Sequence, residues 1–106
     1  MIYTQLGQTT LHLSRLAFGT WSFGGDWGPV QVDDGKAAIR KALDLGINFF
    51  DTAQAYGFGA SETMLGEALR PEIKAHRHEV VLATNGGLRS STGLIPKRPS
   101  KQQRWP

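Results

Sequence analysis

No cysteine occurs among the 106 residues, so disulfides and thiolate metal sites are excluded and a cytoplasmic setting is the default expectation. No apolar run approaches the roughly 20 residues that a membrane-spanning helix needs. The opening Met1-Ile2-Tyr3-Thr4-Gln5 has no basic segment followed by an apolar stretch, so it does not read as a signal peptide. Acid is missing from the end of the chain. Residues 86–106 hold Arg89, Lys97, Arg98, Lys101 and Arg104 but no Asp or Glu, whereas residues 1–85 hold seven basic and nine acidic residues. The net charge of +3 therefore comes wholly from the tail, and the preceding segment is slightly acidic.

What is present suits one small soluble domain. Apolar residues make up 40% and charged residues 20%, enough for a modest core under a solvated surface. Ile2 to Leu6 and Leu11-His12-Leu13, joined by Gly7-Gln8-Thr9-Thr10, read as a hairpin. Leu16-Ala17-Phe18-Gly19 suits a buried strand and leads into a loop with Gly24, Gly25, Gly28 and Pro29. Asp33 is a candidate N-cap for a helix over 34–45, carried by Ala38, Ile39, Ala42, Leu43 and Leu45 and closed by Gly46. Ile47-Asn48-Phe49-Phe50 reads as a second buried strand, ending at Asp51-Thr52. Ser61 is the next candidate N-cap, with Glu62 just inside, Leu65, Ala68 and Leu69 as the apolar stripe, and Pro71 as the stop. Val80-Val81-Leu82-Ala83-Thr84 is a third buried strand.

These strands begin near residues 16, 47 and 80, with a helix in each interval, which is the repeat of a βαβ unit. Strands apolar at nearly every position suit a parallel sheet covered on both faces. Periodicity alone does not separate a barrel from an open doubly wound sheet. After Asn85 the pattern stops, and the Gly, Ser and Pro residues of 88–106 read as a basic loop or disordered tail.

Active sites of parallel α/β folds lie at the C-terminal ends of the strands. Those ends are Gly19-Thr20-Trp21, Asp51 with Tyr56 in the next loop, and Asn85. A carboxylate and a phenol meeting there make a candidate proton-transfer site. Tyrosine, with a pKa of roughly 10, needs a neighbour that lowers that value to protonate a substrate near neutral pH.

Gly46-Ile47-Asn48-Phe49-Phe50-Asp51-Thr52-Ala53, then Tyr56-Gly57 and Ser61-Glu62, resembles the aldo/keto reductase signature. Gly19-Thr20-Trp21, Val81-Leu82-Ala83-Thr84 and the opening hairpin fall where that family has its counterparts, so the resemblance spans residues 1 to about 87. It implies a (β/α)₈ TIM barrel, of which this chain would supply the hairpin, three parallel strands and two helices; a complete barrel takes roughly 250 residues. It also implies hydride transfer from NADPH, less often NADH, to a small aldehyde or ketone, through an Asp, Tyr, Lys and His tetrad. Carried over, Tyr56 is the general acid and Asp51 holds the lysine beside the nicotinamide ribose. Gly19, Thr20 and Trp21 lie by the cofactor, and Trp27 lines the substrate pocket.

The sequence departs from that pattern at the lysine, where it has Asn85, and it contains no counterpart of the next strand, which carries the histidine. An amide can bond to Asp51 but brings no charge, which would leave Asp51 a buried carboxylate without its ion partner, a costly state. The expectation is that the chain alone does not turn over. The alternative is a non-catalytic module that pairs or self-associates through open sheet edges.

Other features have plainer readings. Gly57-Phe58-Gly59 hints at a phosphate loop, but Glu62 stands where a third glycine belongs. His76 and His78 lack a third metal ligand and read as a solvated turn, so no metal site is expected. The basic tail, with only Trp105 as an aromatic, is better read as a solvated loop than as a nucleic-acid binder.

Overall fold

The structure is a computed structural model that describes residues 1–24 and 31–87. Trp27 and the 88–106 tail lie outside the described residues. The chain opens with an antiparallel hairpin, β1 (Tyr3–Gln5) and β2 (His12–Ser14), with Tyr3 opposite Ser14 and Gln5 opposite His12. Then come β3 (Ala17–Gly19), α1 (Val32–Asp44), β4 (Phe49–Asp51), α2 (Ala60–Ala68), α3 (Arg70–Ala75) and β5 (Val81–Ala83). The three later strands form one parallel sheet in the order β3-β4-β5. Phe18, Phe50 and Leu82 lie side by side in one row, and Gly19, Asp51 and Ala83 in the next.

This register makes the repeat regular, since Ala17, Phe49 and Val81 are aligned at steps of 32 residues. Successive strand residues face opposite ways. Phe50, fully buried, therefore joins Phe18 and Leu82 on the face covered by the helices. There it packs into a core of Ile39, Ala42, Met64, Leu65, Ala68, Leu69 and Val80. Burying a side chain of this size stabilises by about 1.5–3 kcal/mol. The opposite face carries Ala17, Gly19, Phe49, Asp51, Val81 and Ala83, all half-buried or exposed. Among the described residues the sheet is thus covered on one face, not on both as the apolar strands suggest.

The hairpin sits at the N-terminal ends of the strands because Asn48 clasps it. The Ser14 N–H donates to Asn48 Oδ1 (2.7 Å), Asn48 Nδ2 donates to the His12 carbonyl (2.9 Å), and the Asn48 N–H donates to Ser14 Oγ (3.1 Å). Tyr3 adds a bond from its hydroxyl to the Gly46 carbonyl (2.7 Å).

Several helix boundaries differ from the sequence expectation. Gln31, not Asp33, takes the extended N-cap position of α1 and makes no side-chain cap bond. Asp33 and Asp34 both fall in the first turn, where a carboxylate is favoured by the helix dipole. Ala38 and Leu45 are exposed; the buried stripe is Gly35, Ile39 and Ala42. Gly46 closes α1 as expected, at φ 94°. Ser61 does not cap α2: the N-cap is Gly59, at φ 104°, and Ser61 lies within the helix. Pro71 does not simply stop the second helix. α2 ends at Ala68, and Pro71 occupies the first turn of a third helix, α3, where its missing N–H costs nothing. The chain therefore has three α-helices among the described residues rather than two.

α3 is tied back to α1 by Arg40, whose Nη1 donates to Glu72 Oε1 (2.6 Å) and Oε2 (2.7 Å). Glu72 is buried, which alone would raise its carboxyl. The hydrogen bond and charge of Arg40, helped by a backbone bond, outweigh that and hold it below the ordinary glutamate value. His76 and His78 are exposed around the turn Arg77–Glu79, and no group of three metal-binding side chains occurs among the described residues. No described helix is long and apolar enough to cross a membrane.

Candidate active site

Because β3, β4 and β5 run parallel and in register, their C-terminal ends reach one rim. Each strand is followed by a threonine: Thr20, Thr52 and Thr84. The ladder continues one step beyond the strands, with the Thr20 N–H donating to the Asp51 carbonyl (3.0 Å) and the Thr52 N–H to the Ala83 carbonyl (2.8 Å). At this rim an open cavity of about 470 Å³ is lined by Gly19, Thr20, Trp21, Ser22, Asp51 and Tyr56. The carboxylate and the phenol picked out from sequence thus share one cavity with the residues that follow β3.

Tyr56 reaches the cavity from the turn Tyr56–Gly59, in which Gly57 (φ 65°), Phe58 (φ 50°) and Gly59 (φ 104°) are all left-handed. Its ring stacks against Trp21, with centroids 6.5 Å apart and planes 28° from parallel. Backbone contact fixes this approach. A Cβ on Gly24 would stand 2.7 Å from both Gly57 N and Tyr56 C, and a Cβ on Gly57 would stand 2.9 Å from the Gly24 carbonyl oxygen. Only glycine at both positions lets the two loops close.

Asp51 is half-buried rather than buried, because it lies on the sheet face that no helix covers. No described residue forms an ion pair with it. Asn85 reaches the same end of the sheet, where its carbonyl accepts from the Gln54 N–H (2.9 Å). Its side-chain amide makes no hydrogen bond to Asp51, and the residue is exposed. Thr20, expected beside the cofactor, lines the cavity but has its side chain buried, with its hydroxyl bonded to the Asp51 carbonyl (2.9 Å).

Three residues that the sequence places in the motif or at a helix start, without a role in the site, brace it. Ser61 and Thr52 share a buried hydroxyl contact of 3.0 Å. Glu62 accepts from the Thr84 hydroxyl (2.6 Å) and braces the end of β5 against α2. The threonines recurring at steps of 32 residues were the available signal. A larger cavity of about 860 Å³ lies at the opposite ends of the strands, among Thr10, Leu11, His12, Asn48, Arg77 and His78. Its lining holds neither a carboxylate nor a phenol.

Known proteins resemble this chain in sequence and in fold. The family described as the aldo/keto reductase family matches residues 15–104. An aldo-keto reductase of Bacillus subtilis (strain 168) is 44% identical over 89 residues, which cover 83% of this chain and 26% of that protein. The L-galactose dehydrogenase of Arabidopsis thaliana is 44% identical over 82 residues, covering 77% of this chain and 25% of that one. Among solved structures, the holo form of an aldo-keto reductase from Bacillus halodurans superposes with a TM-score of 0.71 at 37% identity, covering 89% of this chain and 28% of the other. The chain belongs to the aldo/keto reductase family, and its hairpin and three-stranded parallel sheet with helices are part of that family's TIM barrel. It spans about a quarter of the length of the curated relatives it matches.

Proposed function

We propose that this chain carries the acid–phenol rim of a cytoplasmic NAD(P)H-dependent oxidoreductase that reduces small aldehydes or ketones to alcohols. NADPH is the expected cofactor and NADH the second choice. The observation that carries the reading is the common cavity of Asp51 and Tyr56, with Trp21 stacked on the phenol ring. The cavity suits the nicotinamide–ribose end of such a cofactor. It lies within the usual size range of small-molecule sites, Trp21 offers an exposed aromatic surface, and nothing stands within 4 Å of where a Gly19 side chain would project.

In this reading Gly19, Trp21 and Asp51 would hold the nicotinamide and its ribose, with Asp51 available as an acceptor. A nicotinamide bound there supplies the hydride. Tyr56 directs its phenolic O–H at the carbonyl oxygen, orients it by hydrogen bonding, and donates its proton as negative charge develops on that oxygen. Trp21 covers one side of the phenol and limits access of water. Trp27 is assigned to the substrate pocket by the family pattern. Proton donation leaves a phenolate, which a nearby cation stabilises, and Asn85 provides none. With no counterpart of the family histidine or of the later cofactor loops either, the 106-residue chain by itself is expected not to turn over.

A complete barrel tests this. Residues 1–87 replace the matching segment of the Bacillus subtilis relative, and NADPH oxidation with an aldehyde is followed by absorbance. The expected result is little activity with Asn85, strong recovery with Asn85→Lys, and loss again when Tyr56→Phe is added. A folded Asn85→Lys chimera that stays inactive, or one indifferent to Tyr56→Phe, overturns the reading.

One observation favours a second reading, a non-catalytic module that pairs with another polypeptide. Among the described residues, β3 and β5 each have a neighbour on one side only, and Phe49 and Val81 are half-exposed on the uncovered face. Concentration-dependent self-association with an inactive chimera is its signature.

A further inference from the structure

Ser61 has the composition signal of a helix cap and does a different job. It is fully buried in the first turn of α2, and its Oγ lies 2.7 Å from Thr20 Oγ1, 3.0 Å from the Thr20 carbonyl and 3.0 Å from Thr52 Oγ1. Thr20 fixes the direction of the protons. Its hydroxyl donates to the Asp51 carbonyl, which can only accept. Ser61 therefore donates, its one proton shared between Thr20 Oγ1 and the Thr20 carbonyl, and Ser61 Oγ accepts from Thr52. The result is a directed chain from Thr52 through Ser61 and Thr20 to the backbone of Asp51.

The chain spans the loop that matters. The Thr52–Ser61 bond closes the base of residues 53–60, with Tyr56 near the middle. Within that loop Phe58 is held at φ 50°, a conformation costly for a bulky residue and kept only where the surroundings over-determine it. At its other end the chain stops on the residue whose carboxylate lines the same cavity.

We propose that Ser61 is a positioning residue whose buried hydroxyl, acting through Thr52 and Thr20, sets the phenol of Tyr56 relative to Asp51. The use of that placement rests on the reductase reading; the placement itself does not, and it is measured without cofactor.

The chain has two tyrosines, Tyr3 and Tyr56, so ring-labelled tyrosine gives two sets of NMR signals, assigned with Tyr56→Phe. In the parent chain the Tyr56 ring, stacked on Trp21 at 6.5 Å, is expected to show cross-relaxation with the indole and a ring-current-shifted resonance. Ser61→Ala is expected to weaken that cross-peak severalfold and to move the Tyr56 resonance toward that of an unpacked tyrosine. The triple variant Thr20→Val/Thr52→Val/Ser61→Ala replaces every member of the network by an apolar group of similar or smaller size. It is expected to regain much of the melting temperature lost in Ser61→Ala, since no buried hydroxyl is left unpaired, and yet to keep the weakened cross-peak. It also carries the test if Ser61→Ala does not fold. An unchanged cross-peak and resonance in either folded variant overturns the proposal. Failure of the Asn85→Lys chimera to reduce carbonyls sinks the reductase reading and leaves this result standing.

Discussion

Gly24 and Gly57 meet backbone to backbone, so closely that a single methyl group on Gly24 would stand 2.7 Å from Gly57 N. The contact joins the turn after β3 to the turn that carries Tyr56, and the Trp21–Tyr56 stack lies beside it. Gly24→Ala therefore must separate the two turns, because the atoms in its way are backbone. We predict a loss of about 1–3 kcal/mol, the usual range for overpacking, with a weaker near-ultraviolet circular dichroism signal from the aromatic pair. Denaturant melts and the dichroism spectrum check both. An unchanged spectrum means the turns are not held by this contact.

Phe50 is the central side chain of the central strand. It is fully buried and touches Phe18, with centroids 6.0 Å apart. Phe50→Ala is expected to destabilise by about 3–5 kcal/mol, transfer and cavity costs together. For a small domain this approaches the whole stability, so the variant should lose its cooperative thermal transition. The neighbouring Phe49, on the uncovered face, is predicted to tolerate alanine much better in the same measurement.

Glu72 and Arg40 give a pH signature. The folded-state carboxyl of Glu72 is held below its ordinary value of 4.5. A depressed carboxyl stabilises the fold above the unfolded-state value, and that contribution is lost as pH falls through the lower folded-state value. Glu72→Gln is therefore expected to be less stable than the parent at pH 7, with the gap closing as pH falls below 4.5. Arg40→Ala leaves the buried carboxylate unpaired, and since Arg40 is itself partly exposed we expect a loss of about 1–2 kcal/mol at neutral pH. Urea midpoints across pH measure both. A gap between parent and Glu72→Gln that widens in acid contradicts the assignment.

Asn85→Lys in the isolated 106-residue chain supplies a cation at the rim without the rest of the family tetrad. We predict no steady NADPH oxidation with an aromatic aldehyde, in contrast to the chimera. Turnover by the isolated variant means that Asp51, Tyr56 and a lysine suffice.

The sequence made the parallel strands, the hairpin and the rim residues legible because each rests on local pattern. Ile47 to Asp51 is a short apolar run bounded by Gly46 and the Tyr56 loop, and Gly46 could be read as a helix end from its neighbours alone. Ser61 misled for the same reason. Its residue type at a helix start matches a cap, and only the register of β3 against β4 brings Thr20 and Thr52 to its hydroxyl. Pro71 likewise looks like a stop until Arg40 is seen holding Glu72 and the short α3 in place. The Gly24–Gly57 approach joins residues 33 positions apart and left no periodic trace. The family pattern implies a buried Asp51, but burial depends on what covers the sheet, and the described helices lie on the other face.

The account turns on parallel, in-register strands delivering Asp51 and Tyr56 to one rim, and isotope-edited NMR of the chain measures this directly. It predicts the inter-strand amide contacts of a parallel sheet for Phe18 with Phe50 and Phe50 with Leu82, together with contacts between the Trp21 and Tyr56 rings. Antiparallel contacts between β3 and β4, or a Tyr56 ring that meets the His12–Asn48 end of the sheet instead, contradict it.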